Sequence, residues 1–118
     1  NTINEKFAKI HFLNGYKEKF VNSDTLNSII RKTVYKNKEI DFLNVDVEGN
    51  EINVLKSLDF DTYKPKLICI EIHNSEDMYV YNESSIMKNP IYIFLQNIGY
   101  KKIWQKEFSF IFKKDIEK

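Results

Sequence analysis

The stretch from Ile40 to Leu58, IDFLNVDVEGNEINVLKSL, leaves this chain few ways to fold. Its first part, through Phe42, Leu43, Val45 and Val47, is apolar and rich in β-branched and aromatic types. Such a near-continuous run suits a strand covered on both faces, as in a parallel sheet. Gly49 is the natural place for the chain to turn. Beyond it Ile52, Leu55 and Leu58 recur at helical spacing, with Val54 beside them. Two acids interrupt the pattern: Asp46 near the carboxyl end of the strand, and Glu48 just past it. In open α/β sheets that end of a strand is where ligands bind. A carboxylate there is costly to bury without a partner. The spacing fits equally well two solvated acids that favour the positive end of the following helix.

A second unit follows. Asp59 to Lys66, with Asp61 and Pro65, reads as a loop. Leu67 to Ile72, LICIEI, is a second buried strand, and it too ends in polar chemistry, with Glu71, His73 and Asn74. Strand, helix and strand imply a right-handed crossover and a parallel pair. Neighbouring parallel strands bring Asp46 and Glu71 close together. Asn74 to Lys88 is polar and reads as a loop, in which Met78, Tyr79 and Tyr81 serve either to cover a ligand or to pack the loop down. The next helix is well punctuated: Asn89 caps, Pro90 opens the first turn, Gly99 ends it, and Ile91, Phe94, Leu95 and Ile98 form its stripe. Tyr100 to Gln105 and Phe108 to Phe112 read as a closing antiparallel hairpin, and the tail KKDIEK as frayed.

Ahead of the central stretch, Asn14-Gly15 between two alternating runs, Ala8–Leu13 and Tyr16–Val21, predicts a β-hairpin. His11 in its first strand reads as an ordinary strand residue rather than a ligand. Asp24 reads as the N-cap of a helix from Thr25 to about Val34, with Leu26, Ile29 and Ile30 on one side. The chain of 118 residues suits one domain, with residues 1–22 as a hairpin region and residues 23–118 as an α/β core.

The net charge of +1 supplies no field to attract nucleic acid, and Arg31 is the only arginine. Phosphate clamping by arginine is thus poorly supplied. One cysteine, Cys69, rules out an internal disulfide framework and a cysteine-based zinc site, and its apolar surroundings suit a reduced core residue. No apolar run approaches the ~20 residues of a membrane span, and no signal peptide is visible, so a cytoplasmic protein that binds neither membrane nor nucleic acid is expected.

Asp46, Glu48, Glu71 and His73 are the one concentration of titratable side chains at strand ends. They offer oxygen ligands for a hard cation such as magnesium, with Asp46 and Glu71 foremost. They also offer a general base, because clustered acids and a histidine perturb one another. No calcium loop, HExxH, GxSxG, P-loop or GxGxxG accompanies them. Gly15, Gly49 and Gly99 are the only glycines and lie far apart.

TLNSII, a polar spacer, IDFLNVDVEGNEINVLKSL and PKLICIEIH together resemble the FkbM family of S-adenosylmethionine-dependent methyltransferases. In that family a TLD segment precedes a strand reading iDfLKiDvEGaE, and then come a helix, an iiiE strand, a segment ending lGY and a closing hairpin. The resemblance runs from about Thr25 to Phe112. It implies a doubly wound, Rossmann-like seven-stranded sheet whose last strand is antiparallel. It further implies methyl transfer from S-adenosylmethionine to a hydroxyl of a sugar, polyketide or similar small acceptor. On that layout Asp46 faces the methyl group or a metal, and Asp46, Glu48 and Gly49 touch the cofactor. Asp46, Glu71 and His73 are then the catalytic candidates, and Glu51 is a motif member without an assigned role. Asn27 stands where the family usually has Asp, and Asn44 where it usually has Lys. The family's glycine-rich loop is expected ahead of Asn1, which makes this chain the C-terminal portion of such an enzyme. A reading of another class is a non-catalytic α/β module that binds a partner protein or a metal, with a receiver-like phospho-acceptor as a weaker variant.

Overall fold

The computed structural model describes residues 15, 17–73 and 82–115. Four strands form one sheet: β1 (Phe42–Val45), β2 (Leu67–Glu71), β3 (Tyr100–Lys106) and β4 (Ser109–Lys114), in the order β1-β2-β4-β3. β1 pairs parallel with β2, Val45 opposite Ile70. β4 runs antiparallel to β2 on one side and to β3 on the other. The last of the described strands is therefore inserted between β2 and β3, and β1, β2 and β3 share one direction. The hairpin expected at the C-terminus is present. Its turn is Glu107–Phe108 rather than residues 105–107, with Glu107 in the left-handed region at φ 53°.

Five helices are described: α1 (Leu26–Arg31), α2 (Glu51–Lys56), α3 (Phe60–Tyr63), α4 (Glu83–Met87) and α5 (Pro90–Asn97). Side chains alternate in β2, and Ile68 and Ile70 point into a core shared with Val45, Leu55, Ile86, Leu95, Phe110 and Phe112. Tyr92 meets Phe110 and Phe112 edge-on, at ring-centroid distances of 6.5 and 5.5 Å. Aromatic contact of this geometry adds to what area burial alone contributes. Phe60 joins α3 to the same core through Phe94 and Tyr100.

Several expectations change. β1 is not covered on both faces: Phe42 is 54% exposed and Asn44 is exposed, whereas Val45 is buried. Alternation sends every second side chain to the face away from the helices, and among the described residues little lies over that face. The loop expected at residues 59–66 contains α3, because the Asp59 side chain accepts from the Asp61 and Thr62 N–H groups and starts a turn. The loop expected at residues 74–88 contains α4, capped by Asn82, with Ile86 fully buried. Met78, Tyr79 and Tyr81 lie outside the described residues. α1 is shorter than expected, and its cap is Thr25, whose side chain accepts from the Ser28 N–H. Asp24 instead accepts from the Thr25 N–H, the Ser28 hydroxyl and Lys32. Residues 17–21, expected as a strand, have no regular structure. The first strand of that hairpin, with His11, lies outside the described residues. Among the described residues no helix is long and apolar enough to cross a membrane.

Candidate functional site

The turn after β1 is built by one side chain. Glu51, the first residue of α2, is only 6% exposed. Its carboxylate accepts from the Val47 N–H through Oε2 and from the Gly49 N–H through Oε1, each at 3.0 Å. Asn50 makes no side-chain cap, so Glu51 folds back to do that work. A carboxylate at this end of a helix is also favoured by the helix dipole. Between the two N–H groups the chain takes two successive left-handed residues, Glu48 at φ 50° and Gly49 at φ 102°. Glycine adopts this conformation freely, whereas Glu48 does so at a cost. The motif member without a role thus gains one: Glu51 clamps the turn. The two turn N–H groups are consequently spent inside the protein.

The TLN segment is structural as well. Asn27 Oδ1 accepts from the Asp59 N–H at 2.6 Å, the Asn27 N–H donates to the Ser57 carbonyl, and the Leu26 N–H donates to Ser57 Oγ. These bonds pin the start of α1 to the end of α2. The Asn27 amide supplies the acceptor oxygen that this contact needs.

Of the expected site residues, the structure pairs two. His73 Nε2 and Glu71 Oε1 are 2.9 Å apart at the carboxyl end of β2, both about one-third exposed. Asp46 follows Val45, and Glu71 follows Ile70. Since Val45 and Ile70 are register partners, both acids leave neighbouring strands at the same edge. Strands in a sheet lie about 4.8 Å apart. Asp46 is exposed, and among the described residues no hydrogen bond or ion pair holds its carboxylate. Glu48 is partly buried, and its Oε2 is shut off from solvent with no hydrogen-bond partner among the described residues. Among the described residues no group of three or more His, Cys, Asp and Glu comes together as metal ligands.

Two residues that sequence patterning did not assign to the site adjoin His73. Phe108, from the β3–β4 turn, lies against the His73 ring with centroids 4.6 Å apart and planes tilted by 31°. Its carbonyl accepts from the Ile72 N–H at 2.9 Å. Asn89 caps α5 by accepting from the Ile91 N–H, and its amide also donates to the His73 carbonyl. The capping signal of Asn89 was visible in its place before Pro90. Phe108, 35 positions beyond His73, left no local signal.

Motif and topology can now be set against known proteins. A family description, Methyltransferase FkbM domain, matches residues 3–102. The chain belongs to the FkbM methyltransferase family. The match begins ahead of α1 and extends into β3, so it takes in the Glu51-clamped turn, the Glu71–His73 pair and Asn89. No curated protein and no solved structure matches the chain. Within this FkbM domain, of the three motif acids, Glu51 holds backbone, Glu48 is partly buried and Asp46 is exposed.

Proposed function

We propose that this FkbM-type chain takes part in methyl transfer from S-adenosylmethionine to a hydroxyl oxygen of a sugar, polyketide or similar small acceptor. The observation that carries the reading is the Glu71–His73 pair at 2.9 Å, set beside Asp46 at the carboxyl edge of two parallel strands. When bound, S-adenosylmethionine supplies an electrophilic methyl group on a positively charged sulfur. Asp46, Glu48 and Gly49 are the residues that would hold it. The chemistry of the turn fits: the exposed Asp46 carboxylate accepts from ammonium and hydroxyl groups and favours nearby positive charge, and Glu48 Oε2 has no hydrogen-bond partner among the described residues. The Gly49 N–H is already committed to Glu51, so an anionic group finds no donor there.

The acceptor hydroxyl must lose a proton as its oxygen bonds to carbon. His73 takes that proton, and the Glu71 carboxylate orients the imidazole and balances the charge that forms on it. Asp46 shares the edge and favours the positive charge of the methyl donor. Positioning of the two reactants contributes the rest of the rate. The strand order, with an antiparallel last strand inserted beside β2, supports placement at one end of a doubly wound methyltransferase sheet. A lone, partly buried cysteine, Cys69, fits a reducing cytoplasmic setting.

The test is methyl transfer by the intact protein, read as S-adenosylhomocysteine released with a panel of hydroxyl acceptors. His73→Gln is expected to lower kcat by about 10²–10⁴-fold, the range for loss of a general base. Asp46→Ala lowers it as well. Wild-type turnover by both variants would remove the pair and Asp46 from the chemistry. A second reading, a non-catalytic partner-binding module, is favoured by the exposed Phe42 and Trp104 on the sheet. It gains ground if no acceptor is methylated while the protein folds.

A further inference from the structure

We infer that Phe108, at the tip of the β3–β4 hairpin, is a positioning residue for His73. The inference rests on the reading of His73 as the base. Three elements converge on His73. β2 supplies the Glu71 carboxylate at 2.9 Å from Nε2. The N-terminus of α5 supplies Asn89, whose amide donates to the His73 carbonyl at 3.0 Å. The hairpin supplies the Phe108 ring, 4.6 Å from the imidazole centroid.

The three contacts act on different parts of the residue. Asn89 holds the backbone at residue 73, Glu71 holds one ring nitrogen, and Phe108 lies against the ring face. A flat apolar surface against the imidazole face limits its rotation, and a histidine ring over a phenyl ring is a favourable aromatic contact. The hairpin is itself anchored, because the Phe108 carbonyl accepts from the Ile72 N–H, one residue before His73. Glu107 in the left-handed region makes the turn tight enough for Phe108 to return toward β2. Phe108 is thus tied by backbone to the same strand end whose side chain it supports. Phe108 also packs against the core cluster that contains the fully buried Phe110 and Phe112. Phe108 is only partly buried, and the face it offers is turned to a titratable ring.

Ring-proton NMR of the full chain tests this. His11 and His73 are the only histidines, so a His11→Gln variant assigns both ring spectra. In the wild type the His73 ring protons are expected upfield of ordinary histidine positions, with nuclear Overhauser contacts to the Phe108 ring. Phe108→Leu keeps apolar bulk and loses the flat face; the His73 signals should move downfield and broaden. Phe108→Tyr should restore them. In the intact enzyme Phe108→Leu should lower kcat by about tenfold or more with KM little changed, as misplacement of a catalytic group does. Absence of the ring-to-ring contacts in the wild type overturns the inference, and that result needs no variant to fold. His73 shifts that coincide in wild type, Phe108→Leu and Phe108→Tyr overturn it too, while leaving the assignment of the base intact. Full turnover by His73→Gln overturns the base instead, even where the ring contact is observed.

Discussion

At the scale of single residues, the acids of the DVEGNE motif divide into a builder and two candidates for chemistry. Glu51 is nearly buried and accepts two backbone N–H bonds, so its work is to hold the turn. Glu51→Gln exchanges one accepting oxygen for a donor that faces an N–H group. The loss should be about 1–3 kcal/mol, the cost of a buried donor left unpaired. Urea denaturation followed by circular dichroism measures it, and an unchanged midpoint would sink the clamp. Sequence reading found the motif but not this division of labour. Asp46, Glu48 and Glu51 fall within six residues, and which carboxylate turns inward depends on the left-handed geometry of Glu48 and Gly49. Hydrophobic period does not carry that information. The proximity of Asp46 and Glu71, by contrast, followed directly from two strands read as parallel neighbours.

At the scale of elements, the long apolar patterns were legible and the short capped ones were not. β1, β2, α2, α5 and the terminal hairpin all follow from period, from punctuation by glycine and proline, or from both. α3 and α4 are single turns in polar sequence, started by the side chains of Asp59 and Asn82. An acid or amide before a polar run marks a loop as readily as a cap, so composition favoured the loop. The Asp59 cap has a consequence with pH. The Thr62 hydroxyl, then the Thr62 and Asp61 N–H groups, hold its carboxyl below the ordinary value of 3.8. A depressed value in the folded state means stability that is present above the ordinary value and lost as pH falls through the folded one. Asparagine at this position caps without titrating. The stability of the wild type should therefore fall relative to Asp59→Asn between about pH 5 and about pH 2. Urea midpoints across that range give the comparison. A difference that stays constant with pH would show that the cap does not titrate.

At the scale of the whole molecule, stability is unevenly spread. β2 and β4 lie inside the sheet, and Ile68, Ile70, Phe110 and Phe112 are at most 1% exposed. α1 buries no residue and is held by hydrogen bonds to Ser57 and Asp59. Hydrogen exchange should follow that division: amides of β2 and β4 exchange only with global opening, and those of α1 exchange much earlier. Equal protection in α1 and β4 would contradict it. The sheet order also has a temporal side. β4 is the last of the described strands, yet it occupies an interior position of the sheet. During synthesis, at about 5–20 residues per second, β1 and β2 emerge first and wait for a neighbour that does not yet exist. When β3 leaves the ribosome it cannot pair directly with β2 in the final order. Only as residues 109–114 follow does the gap fill, and Phe108 reaches His73 in the same movement. A nascent chain halted just short of the hairpin turn would carry both halves of the site's edge and neither its middle strand nor its aromatic floor. Insertion of β4 between its neighbours and the contact of Phe108 with His73 are thus one event, late in the translation of this segment.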